Sequence, residues 1–175
     1  EQTLPDTPGQ TDKKPHHIPF ALGLLDRRGQ PLPLRLADDD TEAPTERMLE
    51  LTERAHTFEF HGLAECPVPS LLRNFSAPVR LNYPWTREQL MFLMSHDEDG
   101  FNRWDAGQRL AVDVISSLVG APKDATVEPR LVTAYRHLIT DSSLDQALVA
   151  KMLQLPSEAY LIELADSPDV QQIHR

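Results

Sequence analysis

Seven histidines, one cysteine and 27 acidic residues are the side chains of this 175-residue chain that could build hydrolytic or metal chemistry. A zinc hydrolase of the HExxH type needs two histidines one helical turn apart, with a glutamate between them. No such arrangement occurs in the sequence. His16 and His17 are adjacent, and neighbours in an extended chain point to opposite faces, so a shared metal is not expected. His56 and His61 flank a short alternating segment and read as surface or turn residues. His96 falls at a helix end, where a partly protonated imidazole would suit the dipole. His137 falls on a helix flank and His174 near the chain end. Cys66 stands before Pro67 with no histidine nearby, which points to a buried or rim thiol rather than a nucleophile. A single cysteine allows no internal disulfide and fits a reducing compartment.

Asp97-Glu98-Asp99-Gly100 invites a calcium reading. An EF-hand loop places oxygen ligands at alternate positions, glycine sixth and glutamate twelfth. Counted from Asp97, glycine comes fourth, Phe101 fifth and Gln108 twelfth, so the pattern fails. The three acids more simply feed a helix N-terminus, where negative charge is favourable. Asp38-Asp39-Asp40 reads as a solvated loop. There is no Gly-rich phosphate loop, no GxSxG elbow and no triad. The residues therefore assign no catalytic, cofactor-binding or metal-binding position.

Composition narrows the partners. The formal charge is −10, which argues against nucleic acid and against anionic membrane surfaces. No apolar run reaches the ~20 residues of a membrane helix. The opening EQTLPDTPGQ has neither Met nor a signal-peptide pattern and reads as a cut inside a longer chain.

The elements that would position these residues change character along the chain. Glu1 to Pro15 reads as a mobile lead-in or loop. His17 to Asp26 keeps Ile18, Phe20, Leu22 and Leu24 at period two, a strand. Arg27 to Gln30 supplies a turn around Gly29. Pro31 to Leu36 returns with Leu32, Leu34 and Leu36 on one face, a hairpin partner confined by its prolines to an edge. Met48 to Thr52, Thr57 to His61 (Phe58 and Phe60 on one face), Val68 to Asn74 and Pro78 to Tyr83 read as further short strands. The expectation is a small sandwich, short of strands, with some of them upstream of Glu1.

From Thr86 the apolar spacing becomes helical. Thr86-Arg87-Glu88-Gln89 is a capping-box pattern opening a helix to His96. Phe101 to Val119 forms a second, with Phe101, Trp104, Ala111, Val114, Ile115 and Leu118 on one stripe, ended by Gly120 and Pro122. Glu128 to Ile139 is a third, with Leu131, Ala134, Tyr135 and Leu138 spaced for burial. Leu144 to Leu153 is a fourth, capped by Ser142 or Ser143. Ser157 to Ala165 follows, and Ser167-Pro168 opens a last helix. Helices joined by short turns predict an antiparallel array or the start of an α-solenoid. The fold class is thus a β module (1–84) followed by an all-α module (85–175). Trp85 and Trp104 lie near the junction, either as partner-binding anchors or as core. Trp104, on the apolar stripe, is expected in the core, where Trp104→Ala would cost roughly 3–5 kcal/mol. Arg103 and Asp105 are expected to tie the two modules by ion pairs. Incomplete edges and uncovered helix faces predict some self-association.

Three segments carry a family resemblance: His17 to Leu34 (HIPFALGLLDRRGQPLPL), Thr57 to Tyr83 with its PVPSLLRNFSAPV, and Phe92 to Leu110 with its FNRWDAGQ. They resemble bacterial aminopeptidase N, the zinc-dependent alanyl aminopeptidase of the gluzincin class, in the region after its catalytic domain. The resemblance implies a small β-sandwich (Ig-like) domain leading into a large helical domain. It implies a cytoplasmic parent enzyme that removes N-terminal amino acids from peptides. The family's zinc ligands (HExxH with a downstream Glu) and exopeptidase motif G(A/G)MEN are absent here, so no catalytic or metal residue carries over. Implied partners are the catalytic and remaining helical domains of the parent chain, with zinc in the parent only. The role implied is a scaffold that bridges the catalytic domain to a helical cap limiting entry to free N-termini. The alternative is a free-standing module that binds proteins or peptides without enzymatic activity.

Overall fold

The computed structural model describes residues 1–10, 12–37, 39, 42–119, 121, 126–142, 144–165 and 170–173. The chain divides into two compact units, Glu1–Tyr83 and Pro84–Arg175.

The first unit is built on β1 (Ile18–Leu25), β2 (Glu46–Leu51) and β3 (Val68–Leu71), an antiparallel sheet in the order β2-β1-β3. Phe20 lies opposite Leu49, and Leu22 opposite both Arg47 and Leu71. One face gathers Leu22, Leu24, Leu34 and Leu49, with Phe20, Leu32, Leu36, Phe58, Phe60, Leu63 and Leu71 packed against them. The period-two expectation for β1 describes this face only. Ala21 and Leu25 are also buried, so the central strand is covered on both sides.

The turn after β1 forms as expected, and its device is Asp26. The Asp26 carboxylate accepts from the amides of Arg28 and Gln30, each at 2.8 Å, while Gly29 takes φ 82°. The returning segment is not a ladder strand. Leu32 donates to Leu24 O (2.8 Å), Leu25 and Pro31 form an isolated bridge, and Pro31 and Pro33 lack the N–H groups that would extend the pairing. Its side chains still pack as expected, with Leu34 fully buried. Thr57 to His61 likewise makes one bridge, His61 to Arg35, rather than a strand. Pro78 to Tyr83 carries the alternation but belongs to no described strand or helix.

β3 stops at Leu71 rather than Asn74. The chain turns there through a short 3-10 helix, Arg73–Phe75, with Leu72, Asn74 and Phe75 at φ 58°, 52° and 51°. Left-handed backbone at three non-glycine residues is costly and must be held by its surroundings. Leu72 is buried in the core. Arg73, 7% exposed, lies along Gly23 and pairs with Glu46 at 2.9 Å. Ser76 Oγ accepts from the Ala21 amide at 3.0 Å. The lead-in is also anchored, contrary to expectation. Gln2 donates to His16 O (2.7 Å) and Leu51 O (3.2 Å), accepts from His16 N (2.9 Å), and its own amide reaches Arg54 O (2.8 Å). Asp39 of the acidic loop pairs with Arg47; Asp38 and Asp40 lie outside the described residues.

The second unit contains α1 (Arg87–His96), α2 (Gly100–Val119), α3 (Pro129–Thr140), α4 (Gln146–Met152), α5 (Glu158–Leu164) and α6 (Val170–Ile173). The capping box is present in full: Gln89 N donates to Thr86 Oγ1 at 3.2 Å and Thr86 N to Gln89 Oε1 at 3.0 Å. Leu90, Leu93 and Met94 of α1 are buried together with Ala106, Leu110, Ala111 and Val114 of α2. The buried stripe of α2 is therefore centred on Asn102, Ala106 and Leu110, not on Phe101 and Trp104, which are only half-buried. Gly107 faces Met94 of α1, where an added Cβ would stand 3.7 Å from the sulfur. The cap of α4 is Asp145, accepting from Leu148 N at 2.9 Å, rather than Ser142. Ser143, the proposed stop at Gly120 and Pro122, and the start at Ser167-Pro168 lie outside the described residues.

Candidate functional site

The titratable residues singled out in the sequence are dispersed. His17 pairs with Glu50 on the sheet, and His56 Nε2 accepts from the Thr52 and Glu53 amides to close a turn at 3.1 and 2.9 Å. Cys66 is an exposed free thiol. His174 lies outside the described residues. Among the described residues, no three His, Cys, Asp or Glu side chains converge as metal donors.

Asp97 and Asp99 do what a helix start requires. Asp99 Oδ1 accepts from Asn102 N at 2.8 Å, and Asp97 Oδ1 accepts from Asp99 N at 3.0 Å. Both are buried. The α1–α2 turn is thus organised by carboxylates acting as backbone acceptors.

Among the described residues of the helical unit, two of the recesses are informative. The first, about 440 Å³, is lined by Met94, Ser95 and His96 of α1, Arg103 of α2, and Ala134, His137, Leu138, Thr140 and the adjoining Asp141 on the α3 side. Arg103 finds its hydrogen-bond partners within the helical unit. Its Nε donates to Met94 O (3.1 Å) and its Nη2 to Ser95 O (3.0 Å), satisfying carbonyls at the end of α1. Asp105 pairs with Arg109 at 2.6 Å along the same helix. His96 differs from expectation as well. Burial, then Arg103 and His137, hold its pKa below the ordinary imidazole value, so desolvation and neighbouring cations outweigh the helix dipole.

The second recess, about 520 Å³, is apolar. Ala111, Val114, Ile115 and Leu118 of α2 form one wall, Leu131, Val132, Tyr135 and Ile139 of α3 the other, with Val127 and Leu155 at its ends. Among the described residues that line it, Arg136 is the charged one. Burial raises the pKa of the Tyr135 hydroxyl. Trp85, outside both recesses, lies against the Arg109 guanidinium, 5.1 Å from its ring centre.

The β unit followed by a helical unit is the architecture that the comparisons with known proteins also find. Residues 1–84 match a domain of unknown function with an Ig-like fold (DUF3458), and residues 87–175 match its companion with ARM repeats (DUF3458_C). The chain belongs to this family. It is 40% identical over 173 residues to aminopeptidase N of Escherichia coli, covering 96% of this chain and 19% of that protein. It is 34% identical to aminopeptidase N of Haemophilus influenzae, again over 19% of the relative. A solved structure titled as Legionella pneumophila aminopeptidase A in complex with aspartic acid is similar at TM-score 0.72 and 31% identity, covering 90% of this chain and 17% of that one. The resemblance read from the sequence is borne out, and the chain spans about a fifth of the length of these curated relatives.

Proposed function

We propose that this chain is a non-catalytic scaffold segment of a zinc-dependent aminopeptidase that removes N-terminal amino acids from peptides. The observation that carries this reading is the alignment of 96% of the chain with 19% of an aminopeptidase N. In this reading residues 1–84 and 85–175 are two domains. The first bridges the catalytic domain to the helical cap, and the second begins that cap. In this reading the zinc and the exopeptidase motif belong to the catalytic domain of the parent. Its partners are then the catalytic and remaining helical domains of the parent polypeptide, and peptides are the parent's substrates. In this reading the setting is cytoplasmic, in keeping with the lone cysteine, a free thiol.

The test is metal content and turnover of an alanyl chromogenic substrate by the purified 175-residue chain, beside sequencing of the source reading frame. The expected result is no stoichiometric zinc, no turnover, and an upstream HExxH followed by a further Glu. Zinc-dependent turnover by this chain alone overturns the scaffold reading. A frame without HExxH replaces it with a free-standing interaction module.

A further inference from the structure

The lead-in before β1 is strapped to the end of β2 by hydrogen bonds. Gln2 Nε2 donates to Leu51 O (3.2 Å) and to Glu53 O (3.1 Å), and the Gln2 amide donates to Arg54 O (2.8 Å). From the other side, Arg54 Nη2 donates to Lys13 O (2.9 Å). Three of these four bonds end on Glu53 or Arg54, in the turn that leaves β2. The hold on the strap therefore depends on the shape of that turn.

His56 closes the turn. Its Nε2 accepts from the Thr52 amide (3.1 Å) and the Glu53 amide (2.9 Å). Its ring stacks on Phe58, with centroids 5.6 Å apart and planes 5° from parallel, and Phe58 packs against the core of the sheet. The stack thus fixes the imidazole where the two amides reach it. An amide N–H can only donate, so Nε2 must carry its lone pair. A proton on Nε2 removes the acceptor and turns a third N–H toward the two already there. The charged groups on the elements that meet here are Glu50 of β2, Glu53 and Arg54 of the turn, and Glu1, Lys13, His16 and His17 of the lead-in. Glu50 is engaged by His17. Charging His17 strengthens that pair, which holds the chain just before β1, so loss of the turn frees the strap without freeing the strand.

We propose that His56 is a pH-sensitive latch on the lead-in. Neutral, it closes the turn that grips Gln2 and Lys13; protonated, it opens the turn and releases the strap from β2.

Nitrogen–proton NMR spectra of the whole chain, taken from about pH 8 to about pH 5, cover the range in which imidazoles charge. The Thr52 and Glu53 amides and the Gln2 side-chain NH₂ should move with the midpoint of the His56 ring. His56→Gln supplies an acceptor that cannot take up a proton, and His56→Leu supplies none, so neither should show that titration. The two variants separate in limited proteolysis at about pH 7.5. Trypsin should cut Lys13–Lys14 roughly tenfold faster in His56→Leu than in wild type or His56→Gln, as expected for the loss of a pair of hydrogen bonds that hold a locally opening segment. Far-UV circular dichroism and melting confirm the fold, and if His56→Leu does not fold, the titrations of wild type and His56→Gln decide. Thr52 and Glu53 amides that ignore the His56 midpoint overturn the latch. Amides that follow it while Gln2 stays still, or equal cleavage in all three proteins, overturn the release of the strap.

Discussion

Gly23 sits at the centre of β1, paired with Glu46 on one side and Ser70 on the other. Its φ is not in the left-handed region, so the backbone does not require glycine there. Its requirement comes from Arg73. A Cβ built on Gly23 would lie 3.5 Å from Arg73 Cδ and Cζ and closer still to Nη1, inside van der Waals contact. An exposed arginine would swing away at little cost, but Arg73 is 7% exposed and paired with Glu46 at 2.9 Å. Gly23→Ala must therefore displace the guanidinium and loosen that pair. Glu46 is about half exposed, so the loss is discounted for solvent to about 1–2 kcal/mol. At roughly 2–4 °C per kcal/mol for a chain of this size, a melt should show a drop of a few degrees. In an Arg73→Ala background the obstruction is gone. There the same substitution should become neutral or stabilising by about 0.5–1 kcal/mol, the ordinary preference for alanine over glycine inside a strand. Urea denaturation followed by far-UV circular dichroism on the four proteins of this cycle gives the coupling directly. Equal destabilisation by Gly23→Ala in both backgrounds, or none in the wild type, would refute the argument.

Thr86→Ala removes the hydroxyl half of the capping box and should cost about 1 kcal/mol in the same assay, with Thr86→Ser largely retaining stability. Leu110→Ala, in the buried stripe, should cost about 2–5 kcal/mol, whereas half-buried Trp104, whose ring meets Phe101 at 5.8 Å, should lose clearly less on truncation than the 3–5 kcal/mol of a core tryptophan. His96 has a folded pKa depressed below 6.5, so the unfolded chain takes up its proton first. Its contribution is fully present above that value and is lost as pH falls through the range down to the folded pKa. His96→Gln should flatten that part of a stability-versus-pH curve, and an unchanged slope would count against the depressed pKa.

Local rules were legible from the amino-acid order wherever the partner group lies within a few residues. Thr86 and Gln89 close their own ring of hydrogen bonds, Ser157 caps α5 by accepting from Tyr160 N at 3.2 Å, and Asp26 and Gly29 close the turn after β1. The period of apolar residues likewise determined where extended chain gives way to helix. Tertiary structure alone decided what depends on distant neighbours. Whether Pro31–Leu36, Thr57–His61 and Pro78–Tyr83 become strands turns on finding a ladder partner, which periodicity does not supply and proline subtracts from. Which face of α2 is buried was decided by packing against α1: Asn102, Ala106, Gly107 and Leu110 are buried, whereas Phe101 and Trp104 are half-buried. Arg103 and His96 took their roles from the end of α1 and from α3, so their protonation and partners could not be read along the chain. The absence of a catalytic motif was already a property of the sequence, because HExxH and its relatives are local patterns. The groove beside Arg136 exists only once α2 and α3 are packed, since its walls come from residues more than a dozen positions apart.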